Sequence, residues 1–328
     1  MMKKDHPHDQ QGAPFTMQRS IARSLEPELL DACDGRLQDL CWVRMDWQRG
    51  GALTGTASYE GVAGRREAFV KFPVPGRELR WIRRLQNCKE PPIVPRLFAS
   101  GDSLGHHDIG WLVMERIPGM PLGAQWIPGH LTRTANACAS MHACMTDVPI
   151  DRPKRRDDWE RWLDQASRSI LENELPERQR WVEAIRLARI HWVDIIGRWR
   201  ARTPIHWIHG DLHLGNAMFR SDGDTICLVD LAEVRPGHWI EDALYLERLC
   251  WSHPERLKND GPLEAMQEAR LQLGLEVGDG VPELANARRI LLAATTPAFI
   301  AHEGTRAHLD ASLSVLENGL ALWPRNGR

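Results

Sequence analysis

The chain has 328 residues, 42% of them hydrophobic and 26% charged, with a formal net charge of -2. That length suffices for two lobes with separate cores, and the near-neutral balance leaves no electrostatic footprint for nucleic acid. The seven cysteines (Cys33, Cys41, Cys88, Cys138, Cys144, Cys227, Cys250) form no Cys-x-x-Cys pair and read mostly as buried thiols in a reducing compartment. No apolar run approaches the roughly 18 residues a membrane span needs, and the first twenty residues lack a signal-peptide core. A soluble cytoplasmic protein is expected.

Residues 1–20 show no period and are expected to form a flexible tail. A short helix is predicted from Glu26 to Ala32. Strands follow at Trp42–Met45, Thr54–Tyr59 and Ala68–Phe72, the first two separated by Arg49-Gly50-Gly51. Gly76 opens a helix carrying Leu79, Ile82 and Leu85. Two further strands, Val94–Ala99 and Gly110–Glu115, flank the segment Gly101-Asp102-Ser103-Leu104-Gly105, and Pro118-Gly119 marks a lobe boundary. The N-terminal lobe is thus expected at 21–118 and a C-terminal helical lobe at 119–328.

In the second lobe His130–Cys144 reads as a helix. Asp157 reads as an N-cap, with Glu160 completing a capping box. Trp159, Trp162, Leu163, Ala166, Ile170 and Leu171 then recur at helical spacing. Arg178–Arg200 is a long helix with Trp181, Ile185, Ile190 and Trp192, and helices resume near 240–251, 263–273, 281–298 and 307–320. Strands followed by helices make an α+β layout.

The chemistry concentrates in His209-Gly210-Asp211-Leu212-His213-Leu214-Gly215-Asn216, followed by Asp230 at the end of the apolar run Thr225–Val229. Asp222-Gly223 between them signals a hairpin. Phosphoryl transfer needs a carboxylate to orient and deprotonate a hydroxyl, and hard oxygen ligands for Mg²⁺. Asp211, Asn216 and Asp230 supply both. The plain alternative, a polar turn with caps, leaves Asp230 beside an apolar strand without a partner, which is costly. Lys71 alternates with Val70 and Phe72 on a strand, and Glu78 shares a helix face with Trp81, Ile82 and Leu85. The two can pair, although a snorkelling lysine and a first-turn glutamate would satisfy the same pattern.

These residues resemble the aminoglycoside phosphotransferase and choline kinase family, a small-molecule branch of the protein-kinase-like fold. Trp207–Asn216 is similar to the family's catalytic loop, Leu228-Val229-Asp230 to its metal-binding strand end, and Glu241-Asp242-Ala243-Leu244 to the acidic helix start that follows. The resemblance implies a two-lobed fold with a strand-rich, nucleotide-binding N-lobe and a helical C-lobe holding the catalytic loop and acceptor pocket. It implies ATP between the lobes, Lys71 and Glu78 serving the α- and β-phosphates, Asn216 and Asp230 on Mg²⁺, and Asp211 as catalytic base. Asp242 and His209 would support the loop. Trp111–Gly119 looks like the interlobe hinge, where the backbone at Glu115 and Ile117 would bind adenine. The covering loop, Arg49–Gly55, lacks Gly-x-Gly-x-x-Gly spacing, and Asp230 is followed by Leu231-Ala232 in place of Phe-Gly. Only eleven residues separate Asp230 from Asp242, which leaves little room for a peptide-docking segment and favours a small-molecule acceptor.

Other readings compete. Gly101–Gly105 matches a Gly-x-Ser-x-Gly nucleophile elbow on Ser103 with His106, His107 and Asp108 nearby, but an elbow must run from strand into helix. His206, His209 and His213, and His302-Glu303, lack zinc spacing. Arg152–Arg156 reads as a solvated basic loop, and no membrane or nucleic-acid partner is expected. A kinase-shaped binding protein without catalysis is the third class, opposed by the intact Lys71, Asp211, Asn216 and Asp230 set. Asp157, Asp158, Glu160, Asp164, Glu241 and Glu303 are the carboxylates available to a cationic acceptor. The acceptor and the oligomeric state stay open.

Overall fold

The computed structural model describes residues 12–43, 52–150, 157–203, 205–220, 224–258, 260–303 and 305–324. The chain runs α1 (Gly12–Ala32), β1 (Leu37–Val43), β2 (Leu53–Gly61), β3 (Gly64–Phe72), α2 (Gly76–Arg84), β4 (Leu97–Gly101) and β5 (Trp111–Glu115). Next come α3 (His130–Ala143), α4 (Trp159–Glu172), α5 (Arg178–Arg200), β6 (His206–Ile208), β7 (Ala217–Phe219), β8 (Ile226–Leu228) and β9 (Arg235–Gly237). The last part holds α6 (Ile240–Arg248), α7 (Pro254–Leu257), α8 (Pro262–Gln272), α9 (Val281–Thr295), α10 (Ile300–Glu303) and α11 (Arg306–Ala321). This is the α+β arrangement expected from the pattern: a strand-rich N-terminal region and a mainly helical C-terminal one.

Two compact units result. One comprises Met1–Gly119 with Phe219–Ala232, the other Met120–Met218 with Glu233–Arg328. The first is built on a sheet of order β1-β2-β3-β5-β4 whose neighbouring strands pair antiparallel. Alternating residues of β3 (Ala68, Val70 and Phe72) are buried against Leu25 and Leu29 of α1, Leu37, Tyr59 and Val113, the period-2 signature of a one-sided sheet. Helix α1 begins at Gly12, so residues 12–20, expected as tail, are helical. Pro27 sits inside that helix. Segment Phe219–Ala232, distant in sequence, belongs to this unit: Leu228 N donates to Ile93 O at 2.8 Å. Buried Arg220 donates to Pro92 O and Val94 O, each at 2.7 Å, and pairs with the Glu115 carboxylate.

In the second unit α4 buries Trp159, Leu163, Ala166 and Ile170, one face at helical spacing. Leu171 and Ile190, assigned to apolar faces from the sequence, are exposed. The helix cap is Asp158, one residue after the expected Asp157; its Oδ1 accepts from Arg161 N at 3.2 Å. The start of α3 is capped from afar. Asp260, 4% exposed, accepts from Gly129 N, Leu131 N and Thr132 N at 2.9, 3.1 and 2.6 Å, which satisfies amides a helix start leaves open. Among the described residues no helix is long and apolar enough to cross a membrane. Cys33, Cys41, Cys138, Cys227 and Cys250 are free; Cys88 and Cys144 are not among them.

Candidate active site

In the first unit, Lys71 on β3 meets Glu78 in the first turn of α2. Its Nζ donates to Glu78 Oε1 and Oε2 at 2.8 and 2.9 Å and lies 3.4 Å from Asp230 Oδ1. The side chains are 16%, 5% and 48% exposed respectively, so a buried ion pair reaches outward through the third member. Burial disfavours the Lys71 ammonium, but Glu78 and Asp230 outweigh it and hold the group above its ordinary value. Asp230 has φ 59, a left-handed conformation that few non-glycine residues adopt. That is the kind of local strain seen at functional sites. Glu115 N donates to Arg96 O at 2.7 Å and its Oε2 accepts from Arg96 N at 3.0 Å, which fixes this residue at the end of β5. Ile117, two residues on, is buried.

In the second unit, the loop after β6 gathers Asp211, His213 and Asn216. Asn216 Nδ2 donates to Asp211 O at 2.9 Å and to Asp211 Oδ2 at 3.2 Å. The amide nitrogen is therefore committed, and Oδ1 is the atom left for a cation. His213 Nδ1 accepts from Gly215 N at 3.0 Å, leaving Nε2 to face Asp211 Oδ2 at 3.6 Å. The His213 contact is the largest influence on the Asp211 carboxyl. With Tyr245 it outweighs burial and keeps the group below the ordinary carboxylate value. Asp211 therefore stays ionised, as a proton acceptor must.

The loop is held from behind. Asp242, 1% exposed on α6, accepts from His209 N (2.8 Å) and Gly210 N (2.9 Å). Gly210 has φ +81, and a Cβ there would collide with Glu233 O, so only glycine fits between the loop and the turn that precedes β9. His142 Nε2 donates to Asp242 Oδ2 at 3.0 Å while its Nδ1 accepts from Arg270 NH1 at 3.0 Å, which sets the tautomer. Arg270 also donates to His206 Nε2 at 3.0 Å and to Glu276 O at 2.6 Å. Burial alone would raise the Asp242 pKa; the His142 hydrogen bond and the backbone donors bring it down to about 2.

Ligand atoms of Cys138, His142 and Asp242 lie within 4.8 Å of one another. They do not make a metal centre. The His142 proton already lies between ring and carboxylate, the Cys138 thiol is pushed well above its ordinary value by burial, and the Arg270 guanidinium abuts the ring. The trio is a hydrogen-bonded prop for the loop.

Several sequence candidates fall elsewhere. Glu241 is 3% exposed and ion-paired to Arg202 and Arg235, not open to a cationic acceptor. Glu160 and Asp164 face Arg200 and Arg189. Ser103 lies in a β4–β5 turn closed by a Leu104–His107 bridge, and Trp111 Nε1 donates to its carbonyl at 2.8 Å. No helix follows, so it is not a nucleophile elbow. His206 is tied to Arg270 and His213 to the Asp211 loop, so no zinc trio forms from them. The Asp222-Gly223 turn, the basic run Arg152–Arg156, residues 49–51 and the side chains of His302 and Glu303 lie outside the described residues. His142, Arg220 and Arg270 carried no sequence signal, because each has defining side-chain or carbonyl partners more than 60 residues away.

The profile of the phosphotransferase enzyme family matches residues 55–281. Among solved structures, the chain is similar to an aminoglycoside phosphotransferase from Alicyclobacillus acidocaldarius (TM-score 0.56, 16% identity, covering 89% of this chain and 93% of that one). It is similar to a choline/ethanolamine kinase family protein from Mesorhizobium loti (TM-score 0.55, 15% identity, 92% and 95% covered). A third is a spectinomycin phosphotransferase in complex with ADP and spectinomycin (TM-score 0.52, 12% identity, 90% and 93% covered). At these identities the structures speak to the fold. No curated protein matches the chain.

Proposed function

The chain belongs to the phosphotransferase enzyme family, and we propose that this small-molecule kinase uses ATP and Mg²⁺, with Asp211 as its catalytic base. Lys71, oriented by Glu78, would bind the α- and β-phosphates. Asn216 and Asp230 would ligate Mg²⁺; both offer hard oxygens, and Asn216 keeps Oδ1 for the purpose because Nδ2 is committed to Asp211. When bound, the cation would offset charge on the oxygens of the transferring phosphoryl group. Glu115 N is engaged with Arg96, so its carbonyl and the N–H of Ile117 are the backbone groups offered to adenine.

Asp211 would accept the proton of the acceptor hydroxyl. His213 and Asn216 aim its carboxylate, and the Asp242 clamp on His209 and Gly210 keeps the loop in place. Catalysis would rest on positioning and charge neutralisation, with no covalent intermediate. A cytoplasmic location, where ATP is supplied, fits this reading, as does a compact acceptor in preference to a nucleic acid or membrane surface.

The observation that carries the proposal is the Asp211–Asn216 pair on a loop pinned by a buried carboxylate. An ATP-consumption screen over hydroxylated metabolites and antibiotics tests it, with Asp211→Asn as the blank. Turnover is expected in the parent and lost in Asp211→Asn and Asp230→Ala. Full turnover in either variant sinks the assignment.

A further inference from the structure

Behind β9, three arginines crowd two carboxylates. Glu241 accepts from Arg202 NH2 (3.1 Å) and His238 N (3.0 Å) on Oε1, and from Arg235 NH2 (2.9 Å) on Oε2. Its carboxylate is saturated. Arg288, on α9, is left over. Its guanidinium is sandwiched between the rings of Trp159 and Trp199, 4.9 and 4.8 Å from their centroids. Among the described residues its ion-pair partner is Asp157 at 3.5 Å, beyond the reach of a good charge-assisted hydrogen bond, and the charge of Glu241 acts on it from further off. Arg288 is 8% exposed, and its Nε and NH1 make no hydrogen bond. Its neighbour Arg289, by contrast, is fully paired with Glu247 at 2.8 and 2.6 Å.

A buried guanidinium without acceptors is expensive, and the cost is relieved when an anion supplies them. Glu241 feels the charges of Arg235, Arg288 and Arg202 together, so Arg288 shares that carboxylate with two guanidinium groups that hold its oxygens directly. The place adjoins the support of the Asp211 loop: Arg235 pairs across β6–β9 with Ile208, three residues before Asp211, and Glu241 precedes the Asp242 that clamps Gly210. Arg202, Arg235 and Asp157 are partly exposed, so the cluster has a solvent-facing side.

We propose that the phosphate acceptor is an anion, a hydroxylated compound whose carboxylate or phosphate group is received by Arg288 with Arg235 at its side. This deepens the phosphotransferase reading and rests on it. The aromatic faces of Trp159 and Trp199 hold the guanidinium flat, so its planar fork is ready for two parallel hydrogen bonds to an oxyanion.

The test uses the full chain with ATP and Mg²⁺ and a panel of hydroxy acids and phosphorylated alcohols. Each is paired with its neutral carboxamide or with the unphosphorylated alcohol. The anionic member of a pair is expected to have the higher kcat/KM, by about ten- to a hundred-fold. Arg288→Met should raise KM for the anionic acceptors and erase the preference while leaving KM for ATP in place, and Arg288→Lys should restore part of it. The ratio between carboxylate and phosphate acceptors identifies the anion. Preference for neutral or amine-bearing acceptors, or an unaltered preference in Arg288→Met, overturns the proposal and assigns Arg288 to packing alone. A second measurement covers the case in which no panel member is turned over. With ADP and Mg²⁺ saturating, acetate and inorganic phosphate should raise the Tm of the parent relative to chloride at equal ionic strength, but not that of Arg288→Met. No shift in the parent refutes the anion site. ATP turnover on neutral acceptors alone would refute it too, while leaving the kinase reading standing.

Discussion

His142 Nε2 donates to Asp242 Oδ2 across 3.0 Å, with both side chains 1% exposed. The proton between them is fixed because Arg270 occupies the other ring nitrogen. The pair thereby turns a buried carboxylate into a rigid acceptor for the backbone amides of His209 and Gly210.

Removing that carboxylate leaves His209 N, Gly210 N and His142 without their acceptor. Asp242→Ala is expected to lose about 3–5 kcal/mol of stability, the range for breaking a buried charged network. Urea unfolding measures it, and a loss within experimental error would contradict the role of clamp. In the parent, the folded pKa of Asp242 is about 2 against an ordinary 3.8. Its contribution is therefore present above about pH 4 and lost as pH falls toward 2.

Lys71→Met should cut kcat/KM for ATP by about a hundred-fold or more, as loss of one preorganised charge donor does. It also strands Glu78, which burial already holds above its ordinary value. With the lysine gone the folded pKa rises further. A raised carboxylate adds stability below its unfolded pKa and loses it as pH rises through the folded value. The variant should thus gain stability on acidification relative to the parent, as read from Tm against pH. A parallel pair of curves would show that Glu78 does not depend on Lys71.

His213 is the main group holding Asp211 down. His213→Ala should move the acid limb of the kcat/KM profile to higher pH, because Asp211 must be ionised to accept a proton. An unmoved limb would mean that another group controls the titration.

Arg220→Met removes the bonds to Pro92 O, Val94 O and Glu115 that tie segment Phe219–Ala232 to the first unit. A loss of about 3 kcal/mol is expected, with faster amide hydrogen exchange at Cys227, Leu228 and Asp230. Unaltered exchange there would show that the Leu228–Ile93 hydrogen bond alone holds the segment.

Much of the architecture was legible because it follows from periodicity. The α5 boundaries coincide with the sequence reading, and β3 shows the alternation its residues predict. Exposed Leu171 and Ile190 were misplaced because helical spacing says which residues share a face, not how wide a stripe the neighbours cover. Residues 12–20 lack apolar period yet are helical. The Lys71–Glu78 contact was legible because both partners lie close in the chain on elements of opposite period.

The sequence by itself determined the chemical inventory: a carboxylate and amide on a glycine-containing loop, a further aspartate after an apolar strand, and a lysine with a glutamate seven residues on. Those are local patterns, and local patterns survive in one dimension. Tertiary structure alone decided that Asp230 meets Lys71, that Arg270 sets the tautomer of His142, and that Glu241 serves Arg202 and Arg235 while Arg288 keeps Nε and NH1 without a hydrogen bond. The reason is that a buried charge is defined by what surrounds it, and those surroundings come from segments that only folding brings together.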